Sequence, residues 1–183
     1  MTLQPENETK IAGKYLCGQV TGPIVAEIQR FRYQVWKAEG ATLYDETSGM
    51  IADWHDEHAL HWGVYDQDRL IAAARLCIHD RQSDVPDTSL FAAIDLPTPI
   101  ASMNRLVVLR EYRGMGLSSV LDGTRIGAAG RSGARVITAA AVTRRSRIDQ
   151  LQKEGFTFLD GDPAPTPWSP TVQTRPCYRL LDA

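Results

Sequence analysis

The segment Leu106-Val-Val-Leu-Arg-Glu-Tyr-Arg-Gly-Met-Gly-Leu-Ser118 joins an apolar run to a helical pattern through a corner of arginine and glycine. Upstream, residues 101–109 predict a strand. Downstream, Leu117, Val120, Leu121, Thr124 and Ala128 recur on one stripe, which predicts a helix over 117–129. A helix leaves its first amides without intrahelical partners, and its aligned peptide dipoles place about half a positive charge there. Gly114 and Gly116 remove Cβ atoms from the approach, and Arg113 adds a planar fork of donors. Such a corner suits an anion, most naturally a pyrophosphate. A plain strand-to-helix turn with a solvated arginine uses the same residues. No GK[ST] follows, so the loop is not a Walker loop, and GxGxxG is absent.

Moving outward, residues 135–142 form an apolar run short enough for a buried central strand. Thr143 can cap a helix running to Glu154, with Gly155 closing it, and residues 156–159 suit a short strand. Residues 160–176, with five prolines, read as a rigid irregular segment, and 177–181 as the last strand. Toward the N-terminus, Pro23 at a first helical position and the spacing of Ile24, Ile28, Phe31 and Val35 predict an amphipathic helix over 24–39. A strand over 14–20 precedes it, and residues 1–13 read as flexible. Residues 41–58 suit a loop or short helix. Two apolar runs at 60–65 and 70–78 flank a polar turn and predict an antiparallel hairpin. Residues 80–99 read as a long loop with one helical turn. The order implies an α/β fold with a mainly antiparallel sheet, a central βαβ unit and helices on both faces.

At 183 residues the chain suits one domain, 1–183. A net charge of -2 gives no pull toward nucleic acid or an anionic membrane, and no apolar run reaches membrane-spanning length. Cys17, Cys77 and Cys177 are odd in number and form no CxxC pair, which fits reduced thiols. The polar start MTLQPENETK reads as neither signal nor transit peptide, so the expected location is cytoplasmic.

The 106–118 segment resembles the acyl-CoA-binding motif of the GNAT superfamily of N-acyltransferases: a strand, turn residues, then [RQ]-x-x-G-x-[GA] opening a helix. Arg113, Gly114, Met115, Gly116 and Leu117 match it, and Lys153-Glu-Gly155-Phe156 resembles that family's exit into its next strand. The resemblance implies acetyl-CoA or another acyl-CoA as co-substrate, without a metal, and a small-molecule amine or a protein or peptide as acceptor. A homodimer is compatible with it. It further implies that Leu106, Val107 and Val108 pair by main chain with the pantetheine arm, near a bulge at Val108 or Leu109. The amides from Arg113 to Ser118 would then hold the pyrophosphate. Arg144, Arg145 and Arg147 open the helix after residues 135–142 and oppose its dipole. A CoA 3′-phosphate at Arg144 would offset that cost, and a solvated basic face uses the same residues.

The sequence departs from that pattern at three places. Ser118 replaces a glycine or alanine, Leu151 stands where many members carry a tyrosine acid, and no glutamate base lies in 101–103. A non-catalytic CoA-binding module is therefore the rival reading. Replacement acids or bases are sought in Asp53-Trp-His55-Asp-Glu-His58-Ala-Leu-His61, with Asp53, His55 and His58 as catalytic candidates. A strand at 60–65 would turn His61 away from the other two, so the trio is not read as a metal site. Arg32-Tyr-Gln-Val-Trp36, the acids Asp53 and Asp56, and Asn104-Arg105 also resemble N-acyl-homoserine lactone synthases, which share the architecture. That makes Arg32 and Trp36 candidate substrate residues, against a solvated helix arginine and a core tryptophan.

Overall fold

The computed structural model describes residues 6–11, 14–41, 47–166 and 169–181. Among the described residues it is mixed α/β, with three α-helices and a nine-stranded, mostly antiparallel sheet of order β1-β2-β3-β4-β5-β6-β9-β7, with β8 paired to β9. The chain divides into two compact units, Met1–Leu76 with Arg105–Thr124, and Cys77–Asn104 with Arg125–Ala183.

In the first unit, β1 (Glu6–Ile11), β2 (Tyr15–Val20), β3 (Leu60–Asp66) and β4 (Arg69–His79, as far as Leu76) form an antiparallel meander. The first strand corrects the expectation of a flexible 1–13 segment. Its polar residues carry no apolar alternation, yet Glu6 to Ile11 ladder against Gln19 to Tyr15, so backbone pairing decides what side chains do not announce. The β3–β4 hairpin turns with Gln67 in the left-handed region at φ 55. Helix α1 (Pro23–Ala38) starts with proline in its first turn and buries Ile24, Ile28, Phe31 and Val35. These join Val20, Tyr65, Leu70, Ala73 and Val107 in one apolar cluster.

In the second unit, β5 (Ile100–Val108, as far as Asn104) pairs in parallel with β6 (Val136–Val142) from Ile100/Val136 to Met103/Ala139. Parallel neighbours need a crossover, and α2 (Leu117–Arg131, in this unit from Arg125) supplies it. α3 (Arg145–Lys153) and β7 (Thr157–Phe158) follow. Thr143 does not cap α3. Its amide extends the ladder to the Gln173 carbonyl, and Arg144 is the capping position, with no side-chain cap bond.

The proline-rich 160–176 segment is also corrected. It holds β8 (Ala164–Thr166) and most of β9 (Ser169–Leu180), with Pro176 opposite Ala140 in the β6 ladder. Proline withholds one donor without preventing the extended backbone. Trp168 lies outside the described residues. A second apolar cluster gathers Val85, Phe91, Leu96, Ile100 and Val136, with Tyr178 packed against it.

Candidate functional site

The glycine corner and the residues around it lie in the first unit. Strand β5 alternates as its pleat demands: Val107 is buried in the apolar cluster, while Leu106 and Val108 are half-buried. The left-handed backbone irregularity falls at Arg105, φ 54, three residues before Val108, where the bulge was expected. The Leu109 amide already donates to the Ile71 carbonyl at 3.0 Å.

After a short turn at Arg110–Tyr112, Gly114 and Gly116 adopt φ 80 and φ 78, values L side chains rarely take. A Cβ built on either glycine would meet nothing within 4 Å, so the loop's outer face is open. Gly114, Met115 and Gly116 are exposed, whereas Leu117 is buried and anchors α2. The first helical bond runs from the Val120 amide to the Gly116 carbonyl at 3.1 Å. The amides of Leu117, Ser118 and Ser119 therefore precede the α2 ladder, as an anion cradle requires. Arg113 donates from Nε to the Val108 carbonyl at 3.2 Å and pairs through Nη2 with Glu39. Arg144 belongs to the second unit.

The remaining candidates converge differently from their expected roles. Arg32 is fully buried rather than solvated. It donates to Asp56 at 2.8 Å and to Nδ1 of His61 at 3.1 Å. Arg75, also buried, donates to Asp56 at 2.9 Å and to Asp53 at 2.5 Å. Arg105 donates to Asp53 at 2.6 Å and lies over the Trp36 ring at 5.5 Å. Trp36 itself is half-buried against the apolar cluster. Three guanidiniums and two carboxylates thus form one network on α1, the 53–56 turn, β4 and β5.

Arg75 and Arg105 had no sequence-based site assignment. The signal was there for Arg75: a charge inside the apolar run LIAAARLC must find a buried partner.

The network fixes the ionisation of its members. Burial disfavours charge on Asp53, but hydrogen bonds and attraction from Arg75 and Arg105 outweigh it and hold its pKa below the ordinary range. A carboxylate so held is a poor proton acceptor. Burial likewise opposes charge on Asp56, and Arg32 and Arg75 overcome it. Burial lowers Arg32 to about 10, still protonated at neutral pH.

Arginine only donates, so His61 Nδ1 is an acceptor and Nε2 donates to the Asp56 carbonyl at 3.0 Å. That is the neutral tautomer, consistent with burial lowering the His61 pKa. His55, half-buried and stacked on Trp54 at 3.7 Å, is also lowered by burial. His58 is exposed in the 53–58 turn, apart from the hydrogen bonds that hold His61.

These shifts set a pH dependence. A histidine with a depressed folded pKa contributes stability above its unfolded value, and so does a depressed carboxylate. Stability should therefore fall on acidification in two stages, from about pH 6.5 through the histidines and from about pH 4 through Asp53 and Asp56. Urea midpoints at pH 7.5, 5.5 and 4.0 check this, and a midpoint rising toward pH 5.5 would contradict the neutral His61.

The thiols are all buried, and Tyr112 is held by a carboxylate. Burial raises the Cys17 thiol to about 11, and Cys77 and Cys177 are also buried. Leu151 is buried, and Tyr112 donates to Asp66 at 2.9 Å.

Residues 31–122, half of the chain, match the acetyltransferase (GNAT) domain family. The chain belongs to the GNAT acetyltransferase family. It is by that membership a GNAT-type N-acyltransferase. No curated protein matches the chain in sequence.

Solved structures share its fold at low identity. FeeM, an N-acyl amino acid synthase from uncultured soil microbes, superposes with a TM-score of 0.68 at 13% identity, covering 91% of this chain and 91% of FeeM. BjaI, a CoA-dependent acyl-homoserine lactone synthase, gives 0.65 at 17% identity, over 87% of this chain and 76% of BjaI. A GCN5-related N-acetyltransferase from Kribbella flavida gives 0.61 at 19%, over 93% and 100%. Among the described residues of this GNAT protein, no helix is long and apolar enough to cross a membrane.

Proposed function

We propose that this GNAT protein transfers an acyl group, with acetyl as the leading case, from acyl-CoA to an amine by direct attack in a ternary complex. The observation that carries the reading is the 113–119 corner, with its two left-handed glycines, open outer face and helix-start amides. Those amides and Arg113 suit the pyrophosphate, and the β5 main chain from Leu106 to Val108 suits the pantetheine arm as an added strand. Bound acyl-CoA supplies the thioester carbonyl. The amine nitrogen bonds to the acyl carbon, the carbon–sulfur bond breaks, and CoA leaves as a thiolate that takes a proton from solvent to become the thiol. The amine's surplus proton passes to solvent. Buried thiols and the ion-paired Asp53 argue against a covalent cysteine route and against Asp53 as base.

The buried network favours a narrower second reading, in which the acceptor is an amino-acid-derived amine. Guanidiniums are the side chains suited to a carboxylate, and Arg105 sits beside Trp36 on the same strand as Leu106 to Val108. FeeM, similar in fold, is named for N-acylating an amino acid, and BjaI for making acyl-homoserine lactone.

CoA at 100 times its Kd should stabilise the protein by about 2.7 kcal/mol and raise its melting temperature by several degrees. No shift with CoA or acetyl-CoA would overturn the donor reading. Thiol release with amino acids compared against their decarboxylated amines then tests the acceptor. Equal rates would remove the carboxylate from the proposal, and binding without thiol release would favour a CoA-binding module.

A further inference from the structure

Glu39 stands at an unfavourable place. It caps the C-terminal end of α1, where the helix dipole repels a carboxylate. Its partner is Arg113, the arginine of the glycine corner, and both side chains are about one-third exposed, 36% and 32%. Neither is needed to fill the apolar cluster. The pair therefore does something other than stabilise α1: it supplies an acidic oxygen to the guanidinium that a phosphate oxygen would otherwise engage.

We propose that Glu39 is a donor-affinity residue, a built-in competitor that holds Arg113 until an anion of higher charge displaces it. This deepens the donor reading above and rests on it. The chemistry is exchange of one anion for another at one guanidinium, with the Arg113 Nε–Val108 carbonyl bond keeping the arm near the strand end. A dianionic pyrophosphate outcompetes a single carboxylate for a planar fork of donors, and the freed carboxylate is then repelled by the bound phosphates. Ligands that lack phosphate gain nothing from the exchange. Glu39 thereby sets how strongly the corner discriminates a phosphate-bearing pantetheine from a bare one.

The test is calorimetric titration of wild type, Glu39→Gln and Glu39→Gln/Arg113→Gln with CoA and with pantetheine, which lacks the pyrophosphate. An exposed ion pair is worth up to about 1 kcal/mol, so Glu39→Gln should bind CoA about five-fold more tightly. Pantetheine affinity should not change, and the gain should vanish in the double variant. Unchanged or weaker CoA binding by Glu39→Gln, with wild type still binding, would overturn the competitor role and leave the donor reading standing. A gain that persists without Arg113, or that extends to pantetheine, would also overturn it. Failure of both wild type and Glu39→Gln to bind CoA would overturn the two together.

Discussion

Replacing Asp56 by alanine should destabilise the protein by about 3–5 kcal/mol, because it leaves two buried guanidiniums without the carboxylate they share. Arg32 and Arg75 expose 0% and 1% of their side chains, and both donate to Asp56 Oδ1. Asp56 also accepts from the Asp53 amide, closing a reciprocal cap on the 54–58 turn. Its loss therefore frees a buried cation pair and loosens the turn that presents Asp53. For a chain of this size the melting temperature should drop by roughly 6–20 °C. Asp56→Asn keeps the volume and one acceptor oxygen and should fall between wild type and alanine. A urea series on the three proteins decides it: a loss below about 1 kcal/mol for Asp56→Ala would mean the network is well hydrated in solution.

That network also marks where sequence reading stopped. The corner at 113–116 was legible because its requirements are local: glycines that admit positive φ, and a helix start immediately after. The strand-helix-strand crossover and the 60–79 hairpin were legible from periodicity for the same reason. The pattern of α1 alone puts Arg32 on a polar flank, which leaves a candidate substrate residue and a solvated arginine equally open. Its burial comes from Asp56 and His61, 24 and 29 residues away in sequence. Nothing in residues 24–39 encodes that partner. β1 and the 169–176 part of β9 depart in the opposite direction, while 177–180 is the strand that the sequence predicts. Their residues look wrong for strands, and backbone pairing with β2 and β6 overrode the local preference. The catalytic candidates rest on residue type in 53–61, whereas ionisation is set by neighbours distant in sequence, Arg75 and Arg105 for Asp53.

The Gly116 position should give the largest effect on donor binding. Its φ of 78 and the Val120-to-Gly116 bond place it at the turn from which α2 starts. Gly116→Ala forces a left-handed backbone on a residue with a Cβ, at a cost of about 1–3 kcal/mol. Because that Cβ meets nothing within 4 Å, packing adds no further penalty and the fold should survive. CoA affinity should fall on the order of ten-fold or more, equivalent to about 1.4 kcal/mol, since the new atom stands where a phosphate must approach the amides. Gly116→Asn separates the two causes. Asparagine tolerates the left-handed region, so the backbone is retained while a side chain still occupies the open face. The expected result is a near-native melting temperature with the same loss of CoA binding. If Gly116→Asn bound CoA as wild type does, close backbone approach would not be what holds the donor, and the arginine fork would have to carry the phosphate contact instead.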